Sequence, residues 1–404
     1  MRRERFLAAA ATTPPAAVFQ VQYSCGLDII RGLAPHGVPV LAFDADPNAL
    51  GLSSRWASGA VCPDPILDEE AFVTYLESVG PTLPRRAVVF PSHDEYIWPL
   101  SRHADRLAPW FIVPFSRWSV MEQIYDKRAQ MEAAGRAGVD TPRTVFVESA
   151  AELEAAAREV PFPAVLKPVE SLAFKLRFQR HILDIESPDE LQRIYDKVDD
   201  LGVLMLQERV PGDEDALWTV GSYLDADSRP LAVFSGHKLR QYPHAGGSCL
   251  AGVSEWRDDL ADAALRLLRE LRFHGVSQVE FKRDARDGAF RLMEVNARHW
   301  KWHGLATACG VNLSLAAYSD AIGHPFMAPR QTDGAKWVVF NKDVPLALRD
   351  IALRERSALE YARSWSGTKV DGLHSLRDPL PGMINAYRVA RQVVTRQPRA
   401  RVDV

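Results

Sequence analysis

From Ala16 to Pro114, short apolar runs rich in β-branched residues alternate with stretches whose apolar positions recur at helical spacing. AVFQV, VPVLAFD, RAVVFP and WFIVP read as buried strands; LDIIRGLAPHG and FVTYLESVG read as helices, each closed by a glycine. Strands apolar on both faces, separated by helices, predict a parallel, doubly wound α/β sheet.

The pattern changes near Tyr125. Asp126 is placed to cap a helix running from Lys127 to Gly138, and TVFV follows as a strand. AAELEAAARE is an amphipathic helix, and FPAVLKP is a strand ending in a lysine. From Gln179 to Ala297 strands dominate, interrupted by the helices PDELQRIYDKV and DDLADAALRLLRELRF. This is an α+β, antiparallel pattern, and Asp287-Gly288 is a hairpin turn within it. The periodicity divides the chain into a flexible leader (1–15), an α/β domain (16–115), a linker helix and small lid (116–205), a strand-rich domain (206–330) and a helical extension (331–404).

Composition narrows the function. Lys+Arg 49 against Asp+Glu 52 leaves no electrostatic footprint for nucleic acid. The basic start MRRERFLAAAATTPPAA carries too short an apolar stretch for a secretory signal, and no run is long enough to span a membrane, so the expectation is a cytoplasmic protein. Cys25, Cys62, Cys249 and Cys309 are dispersed, which argues for reduced, buried thiols rather than zinc or disulfides.

Candidate chemistry concentrates in VEFKRDARDGAFRLMEVNARHW. Alternation along a strand places Glu294, Asn296 and Arg298 on one side, with Glu280 across the turn. Two carboxylates and an amide oxygen suit magnesium shared with phosphates, and the arginine suits developing phosphate charge. The bland alternative is the wet face of a hairpin with a surface Glu–Arg pair. Lys127 and Lys167 are phosphate candidates, although each alone reads as a surface lysine. In MLQERVPGDEDALW a strand ends in the polar pair Gln207-Glu208. Backbone groups of Glu208 and Val210 could meet an adenine edge and Glu214 the ribose, or the segment is simply a Pro-Gly turn.

In this order the stations resemble the ATP-grasp superfamily: Lys127, Lys167, the hinge from Glu208 to Glu214, Glu280, and Glu294-Val295-Asn296-Ala297-Arg298. The resemblance spans residues 16–325 and is nearest the carbamoyl-phosphate-synthase-type carboxylate–amine ligases. It implies an N-terminal parallel sheet, a small lid and a C-terminal antiparallel sheet. It also implies ATP bound by Lys127, Lys167, Gln207, Glu208, Val210 and Glu214, with Mg2+ (or Mn2+) on Glu280, Glu294 and Asn296. Two departures stand out: the loop PVESLAFKLRF after Lys167 has no glycine, and the first strand leads into YSCGLD rather than a glycine-rich turn.

The implied reaction activates a carboxylate as an acyl phosphate and passes it to an amine, with amino acids as natural substrates and a homodimer as the default assembly. Arg298 would act on the transferred phosphate. Lys238 and Arg240, in a basic segment before Gly246-Gly247-Ser248, would hold the acyl phosphate or an anionic substrate, unless that segment is a plain polar loop. Asp94 and Glu95 follow a strand and suit either an amine or a helix start. His299, Trp300, Trp302 and His303 read as a pocket wall or as core, with zinc the weaker reading. Carboxyphosphate chemistry with bicarbonate, and nucleotide binding without turnover, are the competing functions.

Overall fold

The computed structural model describes residues 2–169, 177, 182–198, 202–244 and 246–395 of the 404-residue chain. Strands β1 (Ala16–Phe19), β2 (Val40–Asp44), β3 (Ala57–Val61), β4 (Ala87–Pro91) and β5 (Phe111–Ile112) form a parallel sheet in the order β3-β2-β1-β4-β5. The chain reverses direction across the sheet between β1 and β4, which opens a crevice at their carboxyl ends. Asp94 begins the helix Asp94–Arg102 at that crevice. β3 escapes the sequence pattern because ASGAV is half exposed and lacks an apolar run.

The segment expected to be a flexible leader is instead a helix, Arg2–Ala10, whose Phe6 and Ala10 are buried in the same core as β1 and β2. Its alanines favour helix, and Phe6 supplies the apolar anchor that fixes it.

A second sheet is antiparallel. It contains β6 (Thr144–Val147), β7 (Ala164–Pro168), β8 (Leu183–Ile185) and β9 (Leu204–Glu208) in the order β6-β9-β7-β8. Leu166, Leu204, Leu206 and Val147 face the helices Ala150–Glu159 and Pro188–Tyr195 as a small core. By alternation, Thr144, Lys167 and Gln207 face the other way. Of the glycine-free loop after Lys167, residues 170–176, Lys175 included, lie outside the described residues.

The third sheet follows the order β14-β13-β10-β11-β12-β15-β16. Its strands are β10 (Leu217–Leu224), β11 (Pro230–Tyr242), β12 (Ser248–Ser254), β13 (Gly275–Arg283), β14 (Phe290–Asn296), β15 (Lys336–Val338) and β16 (Lys369–Asp371). The alternative reading of the basic segment around Lys238 and Arg240 as a plain polar loop is corrected here: β11 runs through it and pairs with β12. The tail, expected as a helical extension after a strand-like WVVF, carries β15 at that run and a further strand, β16, and both extend this sheet. One face of the sheet packs Val220, Val279, Phe281 and Val295 against the helix Asp258–Glu270. The opposite face is polar at the β13–β14 end and apolar towards the α/β domain. There Trp300 and Trp302 lie over Gly221 and Gly252, and a Cβ on Gly221 would fall 1.9 Å from Trp300 Cη2.

Candidate active site

Glu280 and Glu294 occupy directly paired positions on β13 and β14, so both side chains rise from one face. Like charges so placed repel. Cations from three other elements offset them. Lys127, the first residue of the helix Lys127–Arg136, donates to Glu294 Oε1. Lys238 Nζ on β11 lies 4.0 Å from Glu280 Oε1. Lys167 on β7 adds its charge from the second sheet. Burial alone would raise the Glu294 carboxyl, but Lys127, Lys167 and Arg298 outweigh it and hold the group at about 2. Glu294 still keeps 40% of its side chain exposed, so it faces an open cleft.

The register is fixed from behind. Asp126 caps the helix by accepting from the amides of Arg128 and Ala129. Gln130 then clips that helix to β14, donating to the Val295 carbonyl at 3.2 Å and accepting from its amide at 3.1 Å. Lys127 is thereby held over Glu294.

Asn296 donates through Nδ2 to Gln278 Oε1 at 3.3 Å. Gln278 in turn donates to Glu280 Oε1 at 2.8 Å and Thr219 Oγ1 at 3.2 Å. Gln278 was not singled out from the sequence, although its spacing of two from Glu280 marks the shared face. Asn296 Nδ2 also donates to Glu294 Oε2, at 3.5 Å, so the amide stands beside that carboxylate. Among the described residues no three His, Cys, Asp or Glu side chains gather as a self-sufficient metal site. Two carboxylates and an amide oxygen do fit magnesium, which keeps water and phosphate oxygens as its remaining ligands.

On the facing sheet, Lys167 donates to Gln207 Oε1 at 3.1 Å, and Gln207 donates to Thr144 Oγ1 at 2.8 Å. Burial first, then Lys127, lowers the Lys167 ammonium to about 8, against the pull of Glu294. A cavity of about 630 Å³ opens beside this face, lined by Met131, Thr144, Phe146, Glu208 and Arg291 among others. Glu208 itself is engaged: its amide donates to Arg143 O at 2.8 Å, and its carboxylate accepts from the Arg143 amide at 3.1 Å and pairs with Arg286. Val210 is buried, and the Pro211 carbonyl accepts from Ala285 at 3.1 Å. Glu214 Oε1 lies 2.5 Å from His244 Nδ1, and Glu214 Oε2 lies 3.7 Å from Arg356.

The remaining candidates separate. Arg298 lies beyond the end of β14, so strand alternation does not govern it. Its Nε meets both Asp94 oxygens at 3.0 and 3.1 Å, and Tyr125 OH donates to Asp94 Oδ1 at 2.9 Å. Burial disfavours the guanidinium charge, but Asp94 more than compensates and keeps its pKa above the ordinary value. Asp94 therefore joins the α/β crevice to the polar face, while Glu95 turns to His93. Lys238 and Arg240 part company because the β11–β12 register shifts between them. Lys238 stays on the cleft side. Arg240 is buried against the tail, with Nε 2.5 Å from Asp343 Oδ1, NH2 2.9 Å from Asp343 Oδ2 and NH1 2.8 Å from Ser364 Oγ.

His299, Trp300, Trp302 and His303 are buried. His299 Nε2 pairs with Ser314 Oγ at 2.9 Å, and His303 Nδ1 with the Trp300 carbonyl at 2.8 Å, which is a packed core rather than a pocket wall. All four cysteines are free and buried. Among the described residues no helix is long and apolar enough to cross a membrane.

Comparison with known proteins follows this geometry. Residues 252–328 match the family model of the carbamoyl-phosphate synthase L chain, ATP binding domain. The chain is 24% identical over 271 residues to a D-aspartate ligase of Enterococcus faecium (strain Aus0004), covering 62% of this chain and 64% of that protein. It thus spans less than two thirds of that relative's length. Among solved structures, the biotin carboxylase domain of 2-oxoglutarate carboxylase from Hydrogenobacter thermophilus superposes with TM-score 0.64 at 17% identity, covering 80% of this chain and 74% of that one. An L-amino acid ligase from Bacillus licheniformis gives TM-score 0.59 at 16% identity, with coverages of 78% and 75%.

Proposed function

We propose that this chain, which has the ATP-grasp fold, uses ATP to activate a carboxylate as an acyl phosphate and couples it to an amine, releasing ADP and phosphate. The observation that carries the reading is the pair Glu280 and Glu294, ringed by Lys127, Lys167 and Lys238 from separate elements. A site that concentrates both signs of charge in one cleft suits a triphosphate with its cation.

Glu280, Glu294 and Asn296 would hold Mg2+, with Mn2+ as a substitute; a cation there neutralises charge on the triphosphate. Lys127 and Lys167 would bind phosphate oxygens, exchanging Glu294 and Gln207 for them. Gln207, Glu208 and Val210 would form the hinge for adenine, with the Glu208 amide already given to the Arg143 carbonyl, and Glu214 is the ribose candidate. A carboxylate oxygen of the acid attacks the terminal phosphorus and ADP leaves. The amine nitrogen then attacks the acyl carbon, phosphate departs with the former carboxylate oxygen, and the nitrogen loses a proton. The chain's part is to align these groups and exclude water, while Arg298 meets charge on the transferred phosphate. Asp94, holding Arg298 at the crevice, is the candidate for positioning the amine.

Amino acids are the substrate class we assign. The support is the naming of two similar proteins as a D-aspartate ligase and an L-amino acid ligase. The test is phosphate release from ATP·Mg2+ against a panel of amino acids and short peptides, with mass spectrometry of the product. Release that needs both an acid and an amine, with a condensed product, is expected. Release that needs bicarbonate instead would move the chain to carboxyphosphate chemistry.

A further inference from the structure

Away from Glu294, the polar face changes sign. Lys301 stands in the turn after β14, half-buried, and donates to Ser248 Oγ at 2.6 Å, at the start of β12. Lys238 approaches the same place from β11, where it also donates to Gln241 Oε1 at 3.3 Å. Lys342 enters from the first turn of the helix Phe340–Ala352. The Cys249 thiol is buried beside Lys238 and Lys301, with Glu280 also acting on it.

The neighbouring ammonium groups all act on Lys301 in one direction. Burial, then Lys342 and Lys238, lower its ammonium to about 8, and only the Cys249 thiol pulls the other way. Among the described residues no carboxylate forms an ion pair with Lys301 Nζ within 4.0 Å. Ammonium groups gathered in a half-buried place repel one another, at a cost that an anion between them would remove. Nearby cations elsewhere in the protein are matched: Arg240 by Asp343, Arg298 by Asp94, Lys127 by Glu294. Among the described residues Lys301 lacks such a match, and Lys238 links it to the Glu280 end of the cleft.

We infer that Lys301, supported by Lys342, forms a subsite for a second anionic group on the acid that is activated. This rests on the ligase reading and sharpens it: the acid is a small dianion, with one carboxylate turned towards Glu294 and its other anionic group, carboxylate or phosphoryl, held at Lys301. An ammonium set apart from the reacting carboxylate selects by charge and by length.

The experiment is calorimetric titration of the protein saturated with ADP·Mg2+, using succinate, phosphonoacetate and butyrate as probes. We expect at least one dianion to bind ten or more times tighter than butyrate. Succinate and phosphonoacetate distinguish a carboxylate from a phosphoryl partner. In Lys301→Gln that preference should vanish while ADP affinity stays unchanged, and Lys301→Arg should retain most of it. Equal binding of butyrate and the dianions, binding of none of them, or a preference that survives Lys301→Gln would overturn the subsite. Phosphate release is measured in parallel: a Lys301-dependent preference without any acid-dependent release would sink the ligase reading and leave the subsite standing.

Discussion

The two ends of the polar face solve opposite electrostatic problems. At the β13–β14 end, Glu280 and Glu294 are forced together by strand register, and Lys127 and Lys238 are brought in from other elements to balance them. At the β11–β12 end, Lys301 meets other lysines and no carboxylate among the described residues. In the proposed function the first end would exchange its lysines for a metal and phosphates. At the second, no carboxylate among the described residues forms an ion pair with Lys301, which donates to Ser248 instead. Under that proposal the cleft would accept a cation–polyphosphate at one end and an anion at the other, with the reaction between them.

The sharpest way to break this contrast is to remove charge from the first end alone. Glu294→Gln is nearly isosteric and should lower turnover roughly a thousandfold or more, because one ligand of the cation is lost. Its melting temperature should stay close to wild type, since Glu294 is open to the cleft and its pairing with Lys127 is traded away in the working state. Wild-type turnover in this variant would remove the metal assignment.

Arg240 tests whether a basic residue of β11 outside the cleft behaves differently. Its side chain and that of Asp343 are 6% and 1% exposed. Arg240→Ala leaves Asp343 buried without its partner, which costs about 3–5 kcal/mol of stability. Thermal melting should show the loss, and the protein that remains folded at low temperature should turn over normally. A stable variant with lost turnover would return Arg240 to the chemistry.

Arg298 sits between the two ends. Arg298→Ala should lower turnover at saturation by about 100- to 1,000-fold while ATP affinity changes little, as expected of a donor used mainly in the transition state. Lysine should restore part of the rate, since it keeps the charge but not the planar fork. Lost ATP affinity with turnover intact would make Arg298 a nucleotide clamp. The smallest effect belongs to Lys167→Ala. Losing one charged contact should weaken ATP binding by about 1.5–3 kcal/mol, with the acid's affinity nearly unchanged. Calorimetry with ATP and magnesium reads both.

What could be read from the sequence divides along the same line. The parallel α/β region, the antiparallel region and the shared face of Glu280, Glu294 and Asn296 were legible because apolar periodicity, strand alternation and the Asp287-Gly288 turn convert spacing directly into structure; Gly288 does adopt φ +75 at that turn. Alternation fails at a bulge, so Lys238 and Arg240 looked equivalent and are not. It also fails past a strand's end, where Arg298 turns to Asp94 and Lys301 to Ser248. No local pattern foretold either contact, since Asp94 and Arg298 are held together only by the docking of distant elements. The half-exposed strands β3 and β16 lacked the apolar runs that mark buried ones. For Trp300 and Trp302 the sequence left pocket wall and core both open, and the choice falls to the core because Gly221 and Gly252 make room for them there.

The central claim, that a carboxylate becomes an acyl phosphate in this cleft, has a direct atomic readout. The acid identified by the substrate panel is prepared with 18O in both carboxylate oxygens and turned over with ATP·Mg2+ and the amine in unlabelled water, and the released phosphate is analysed by mass spectrometry. The account predicts that each phosphate carries a single 18O atom, the oxygen that bridged the acyl carbon and phosphorus, while the other remains in the product's carbonyl. Unlabelled phosphate alongside condensed product would mean that the phosphoryl group never reached the acid, and the account would be wrong.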